Sequence, residues 1–121
     1  MSTGPSAATV RTIRQRDQGR CLRCGGPGTN TQHRVARGMG GTSRPEVNDL
    51  ANLVTVCGSG TTGCHGWMTA NPAEAYASGW AVRRNGGDLP SEVPLTALDG
   101  RQFFLTEYGD VVPLFPPSAA G

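Results

Sequence analysis

Four cysteines set in two pairs constrain this chain more than anything else in it. Cys21 and Cys24 form a Cys-Leu-Arg-Cys step followed by Gly25 and Gly26, and Cys57 and Cys64 enclose the six residues Gly58 to Gly63. Two intervening residues let both thiolates of the first pair approach one ion, and the glycines after them permit the tight turn. The second spacer is wider than the usual run of about two to four residues. Glycines at 58, 60 and 63 give it the freedom to fold back. In a reducing compartment paired cysteines act as metal ligands rather than disulfides, whereas a secreted setting reverses that reading. Four thiolates around one zinc close its coordination, so such a site is structural and any chemistry must lie elsewhere.

The staple is needed. A chain of 121 residues with Gly 18 and Pro 9 puts much of its backbone into turns, where little apolar surface can be buried. No run approaches the roughly 20 apolar residues of a membrane span, and no apolar core follows a basic start, so a cytoplasmic protein without a membrane contact is expected. All 11 basic residues are arginine, and they are unevenly placed. Residues 1–70 hold eight against Asp17, Glu46 and Asp49, for a net +5, and residues 71–121 hold three against six acids, for a net −3. A basic half suits a polyanion, and arginine suits forked contacts to phosphate. A merely solvated arginine-rich surface is the competing reading.

In chain order, residues 1–7 are small and polar and expected to be disordered. Ala8 to Asp17 has Val10 and Ile13 three apart with Arg11, Arg14 and Arg16 around them, which predicts a short helix stopped at Gly19. Thr31 to Val35 reads as the first strand of a hairpin with His33 at its centre. The glycine-rich loop Arg37 to Ser43 follows, flanked by Arg34 and Arg44 and suited to lie along a phosphate backbone. Asn48 to Asn52 reads as a turn into a second strand, Leu53 to Val56, rich in β-branched residues. Cys64 and His65 open a helix to about Ala70, in which successive side chains point about 100° apart, so Cys64 can face the zinc while His65 faces a neighbouring cleft. Asn71, Pro72 and Glu74 restart a helix with Asn71 as its cap. Trp80 to Arg83 is a candidate strand. Pro94 to Leu98 and Arg101 to Glu107 form a hairpin about Asp99-Gly100, turning into Val111 to Leu114. Phe103, Phe104 and Phe115 read as core or partner surface, and Pro116-Pro117 ends the order.

His33, Asn52 and His65, framed by one cysteine pair before and a Cys…Cys-His after, resemble the HNH endonucleases of the ββα-metal fold over about residues 8–80. The Arg37-Gly-Met-Gly-Gly41 loop and the Cys64-His-Gly-Trp67 helix start are similar to those of small HNH proteins encoded by phages and actinobacteria. The resemblance implies an α+β fold: a zinc-stapled ββα core with an N-terminal helix over residues 8–80, a C-terminal β-hairpin extension over 81–115 and a disordered tail from 116 to 121. It implies His33 as general base, Asn52 as the residue that orients that base and ties the hairpin, and His65 as ligand to a divalent ion. In such enzymes the residue before the base is usually an acidic or histidine ligand, and here it is Gln32, a neutral and poorer one. A second histidine one turn after the last is common, and here Thr69 stands there. The ion, Mg²⁺ or Mn²⁺ or else Ni²⁺, is then expected to be held by His65, weakly by Gln32, and by waters and substrate, with Asp49 as a compensating carboxylate.

The chemistry agrees with that assignment. Phosphodiester hydrolysis needs a water deprotonated near neutral pH and charge on the phosphoryl oxygens, and an imidazole with an ordinary pKa near 6.5 can take that proton. The expectation is a nuclease that nicks or cuts DNA with little sequence preference, gripping phosphates through Arg11, Arg14, Arg34, Arg37 and Arg44. The alternative is an HNH-like DNA-binding or assembly subunit with a decayed metal site, working beside a phage packaging terminase.

Overall fold

The computed structural model describes residues 5–35, 49–83 and 87–114. The expected first helix is α1, Ala7–Arg16. Ser6 starts it, because its Oγ accepts the Thr9 backbone N–H at 3.1 Å and so satisfies a donor that the helix leaves open. Gln18 and Gly19 stop it in left-handed backbone, with the Gly19 N–H returning to the Arg14 carbonyl at 2.9 Å. Ile13 is buried, and Arg11 and Arg14 stay exposed.

The hairpin comprises β1, Asn30–His33, and β2, Leu53–Val56, antiparallel with His33 opposite Leu53 and Asn30 opposite Val56. β1 ends two residues earlier than expected. The Arg34 N–H still donates to the Asn52 carbonyl at 2.8 Å, but the Val35 N–H turns to the Asn52 side-chain Oδ1 at 2.8 Å. A side chain therefore replaces the next rung of the ladder, and His33 sits at the end of its strand, not at its centre. The loop Arg37 to Ser43 and Arg44 lie outside the described residues, as do most of the N-terminal segment, Phe115 and the tail.

Helix and knuckle close the free edge of β2. The Leu53 carbonyl accepts from Arg16 Nη2 at 2.7 Å, the Thr55 N–H donates to Asp17 Oδ2 at 2.9 Å, and the Thr55 carbonyl accepts from Leu22 N–H at 3.0 Å. These groups occupy the edge that a third strand would otherwise take. Arg16 and Asp17 form a buried ion pair, Nε to Oδ1 at 2.7 Å, with both side chains under 5% exposed.

Arg34 corrects an expectation. Predicted as a phosphate contact, it is 2% exposed, and its guanidinium donates to the carbonyls of Gly79 (2.9 Å), Ala51 (2.9 Å), Pro90 (2.8 Å) and Val93 (2.7 Å). Burial, helped by the nearby Arg16 charge, lowers its pKa to about 9, which leaves it charged at neutral pH. With its donors turned inward, it clasps the hairpin to the segment ahead of the second sheet.

Two further helices follow, α2 at Gly63–Ala70 and α3 at Pro72–Ala77. Asn71 is the N-cap of α3 as expected, its carbonyl accepting the Ala75 N–H at 3.0 Å, but its side chain makes no cap bond there and its Nδ2 donates back to the Trp67 carbonyl at 3.0 Å. Trp80 to Arg83 is not a strand. Gly79 has φ 84°, where a side chain would strike the Pro94 carbonyl, and the chain turns so that Trp80 enters the core. The indole meets Phe103 edge-on at 6.2 Å and donates Nε1–H to the Thr96 carbonyl at 2.8 Å.

The expected C-terminal hairpin is β3, Leu95–Thr96, with β4, Gln102–Leu105, and β5, Val111–Pro113, adds a third antiparallel strand. Phe103 is buried and Phe104 half-buried. One apolar cluster joins Cys21, Val54, Val56, Cys64 and Met68 to Trp80, Leu95, Phe103 and Leu105, so the second sheet shares its core with the hairpin and α2. Among the described residues the chain is thus a small mixed α+β protein with three helices and two small sheets.

Asp17→Ala strips a buried guanidinium of its partner and leaves the Thr55 N–H open. It is expected to cost about 3–5 kcal/mol in urea unfolding, against under about 0.5 kcal/mol for the exposed Arg11→Ala. Equal unfolding midpoints would contradict the clasp.

Candidate metal centre and adjoining histidines

The first cysteine pair sits on a tight knuckle. The Gly25 N–H donates to the Cys21 carbonyl at 2.8 Å, the Cys21 N–H to the Gly26 carbonyl at 2.8 Å, and the Gly26 N–H to Cys24 Sγ at 3.4 Å. Across the wider second spacer, Ser59 and Thr62 bond backbone to backbone at 3.1 and 3.3 Å, folding it into a miniature turn. Gly58 and Gly63 flank that turn with φ 87° and 63°, and a side chain on either would run into the other strand's backbone. Gly60, also expected to matter, has open space around it. The turn absorbs the extra residues and delivers Cys64 on the first turn of α2, its N–H donating to Cys57 Sγ at 3.3 Å.

The four sulfurs of Cys21, Cys24, Cys57 and Cys64 lie within 4.8 Å of one another, Cys24 and Cys57 at 3.6 Å. Tetrahedral zinc with sulfurs at about 2.3 Å requires sulfur separations of about 3.8 Å. The donor set therefore fits a zinc ion. Burial above all pushes the Cys64 thiol up to about 12, so without a cation it holds its proton at neutral pH. Zinc binding must displace that proton.

Arg23, inside the knuckle, was missed in the sequence reading. Its Nη1 donates to Cys64 Sγ at 3.2 Å, and its guanidinium lies 3.7 Å from the centre of the Trp67 ring. The first contact offsets the charge that four thiolates place around one ion, and the second fixes the arginine's position. A cation between two ligand cysteines is the only local sign of this role. The Arg23 carbonyl also accepts the Leu98 N–H at 2.9 Å, tying the knuckle to the β3–β4 turn.

The three residues that carry the HNH resemblance lie around this frame. Asn52 is fully buried, and its side chain clamps Val35, two residues beyond His33. His33 is half-buried at the end of β1. His65 is half-buried one residue past Cys64, its N–H donating to the Cys57 carbonyl at 3.1 Å, and its Nδ1 is sealed from solvent with no hydrogen-bond partner among the described residues. Cross-strand partners share a face of a hairpin. Gln32 thus lies with Val54 and Val56, the residues that join Cys64 and Met68 in the core, and His33 lies on the other face with Leu53. Gln32, not His33, is on the α2 side. Its Nε2 donates to the His33 carbonyl at 3.1 Å. Thr69 donates its hydroxyl to the His65 carbonyl at 3.3 Å, and Asp49 accepts the Asn52 N–H on its own carbonyl at 2.9 Å. Among the described residues the four cysteines form the only group of three or more metal-ligating side chains.

No family model, no curated protein and no solved structure matches the chain. None of the described helices is long and apolar enough to cross a membrane.

Metal analysis of the purified protein is expected to return about one zinc per chain. Arg23→Gln should retain the fold and weaken zinc binding by about tenfold or more in a chelator competition. Unchanged affinity would remove Arg23 from the centre.

Proposed function

We propose that the chain is a metal-dependent HNH-type endonuclease that hydrolyses DNA phosphodiester bonds with little sequence preference. One arrangement carries this reading: a hairpin whose first strand ends at His33 under the Asn52 clamp, leading through a four-sulfur staple into a helix that opens with His65. The buried, unpartnered Nδ1 of His65 supports a ligand role, and Gln32 stands on the same side of the hairpin. These two would hold Mg²⁺, Mn²⁺ or Ni²⁺ weakly, with water and substrate completing its coordination. When bound, the ion supplies positive charge to the phosphoryl and departing oxygens. His33 takes the proton of the attacking water through its imidazole, which has to reach the ion from the end of β1, since its strand position faces away from α2. Asn52 keeps the strand end in register without adding charge. Arg11 and Arg14, exposed on α1, grip backbone phosphates; Arg37 and Arg44 complete the proposed set from outside the described residues, and Arg34 leaves it. Contacts of this kind carry no base readout, hence the low sequence preference.

A second reading rests on the neutral Gln32 and on the absence of a second ligand cluster among the described residues. In it the chain is a zinc-stapled DNA-binding or assembly subunit, such as an accessory to a phage packaging terminase.

Incubating supercoiled plasmid with each divalent ion separates the two. Nicking is expected in wild type and a loss of about 10²–10⁴-fold in His33→Ala, with His65→Ala also impaired and its defect relieved in part by raised metal. Retarded plasmid with no nicking in wild type selects the subunit. Arg11→Ala and Arg14→Ala should each reduce the salt slope of DNA binding by about one unit; slopes equal to wild type would take α1 out of the interface.

A further inference from the structure

The four sulfurs of the staple differ in what they face. Cys21 is 1% exposed and Cys64 5%, and Cys64 also lies against the Arg23 guanidinium. Cys24 is exposed and Cys57 half-buried, and their sulfurs stand 3.6 Å apart. Oxidants reach thiolates according to exposure, and a disulfide requires sulfurs that can close to about 2.0 Å. The exposed pair meets both conditions with a small movement. Cys24 lies on the knuckle and Cys57 at the end of β2, so a bond between them would join the two halves of the staple.

From this asymmetry we infer that the zinc staple is a peroxide-sensitive switch whose oxidised form carries a Cys24–Cys57 disulfide. Cys24 thiolate attacks one oxygen of hydrogen peroxide, breaking the O–O bond to give a sulfenic acid and hydroxide. Cys57 thiolate then attacks the sulfenic sulfur, forming the S–S bond and expelling the second hydroxide. Two protons from solvent turn both hydroxides to water, so two thiolates are oxidised for each peroxide reduced. Zinc, left with Cys21 and Cys64, departs. A thiol reductant with added zinc restores the staple.

The consequence runs through Cys57. Its Sγ accepts the Cys64 N–H and its carbonyl accepts the His65 N–H, so drawing its sulfur toward Cys24 disturbs the start of α2. That loss of His65 placement turns off the site, a step that rests on the nuclease reading. The switch itself rests only on the sulfurs.

The test uses the full zinc-loaded chain and hydrogen peroxide. Zinc release is followed with a chromogenic chelator, and disulfides are mapped by thiol trapping and peptide mass spectrometry. Expected is one disulfide, Cys24–Cys57, for each zinc released, reversed by reductant and zinc. Cys24→His keeps a fourth ligand but removes the pair, and should lose peroxide-driven zinc release. Zinc retained by wild type under peroxide, a first disulfide that includes Cys21 or Cys64, or over-oxidised Cys24 with no disulfide would each overturn the switch. Should Cys24→His fail to bind zinc, the wild-type peptide map decides alone. Plasmid nicking is scored separately, so a chain that never cuts DNA still passes or fails here.

Discussion

Four thiolates repel one another, and each costs free energy to bury, so a protein gathers them only where a cation compensates. Here the gathering is also a matter of chain geometry. Cys21 and Cys24 stand on a knuckle tied to β2 by the Leu22 N–H, Cys57 directly follows β2, and Cys64 lies on the first turn of α2. A metal ion at their centre would fix three neighbouring pieces of backbone at once: the hairpin, the helix and the turn between them. His65, next to Cys64 in sequence, is placed by the staple before it is placed by any contact of its own.

Two arginines finish what the ion begins. Arg16, with Asp17, closes the free edge of β2, and Arg34 clasps the hairpin to the segment before the second sheet. Both are charged groups in a small core, and each is tolerable because its donors meet carbonyls or a carboxylate. The basic half of the sequence is therefore less available to a polyanion than its composition implies. Of the five arginines assigned to phosphate, Arg11 and Arg14 remain exposed on α1 while Arg34 is spent inside.

What could be read from the residues follows from range. The paired cysteines, the β-branched run Leu53 to Val56, the Asn-Pro step at α3 and the Asp99-Gly100 turn are local patterns, and each appears where its pattern stands. The clasps are not local. Arg16 reaches carbonyls 34 and 37 residues away, and Arg34 reaches carbonyls 56 and 59 residues away, so nothing near either residue announces a partner. The expected end of β1 failed because a side chain, that of Asn52, took over a backbone's role there, while the α2–α3 boundary stands where its Asn-Pro step puts it. Trp80 looked like a strand because its neighbours are apolar; the left-handed Gly79 before it turns the chain inward instead. At the candidate site, the cluster of sulfurs was legible and Arg23 beside it was not, since an arginine within a cysteine pair looks no different from one in solvent.

The placement of His65 follows the four-sulfur cluster, whose geometry fits a zinc ion. X-ray absorption at the zinc edge of the purified protein reads that shell directly. Four sulfurs at about 2.3 Å are predicted, with no imidazole nitrogen among them, which leaves His65 available to a second ion. A shell of three sulfurs and one nitrogen would make His65 part of the staple and end the account of it as a separate ligand; a protein that folds without zinc would end the account of the staple.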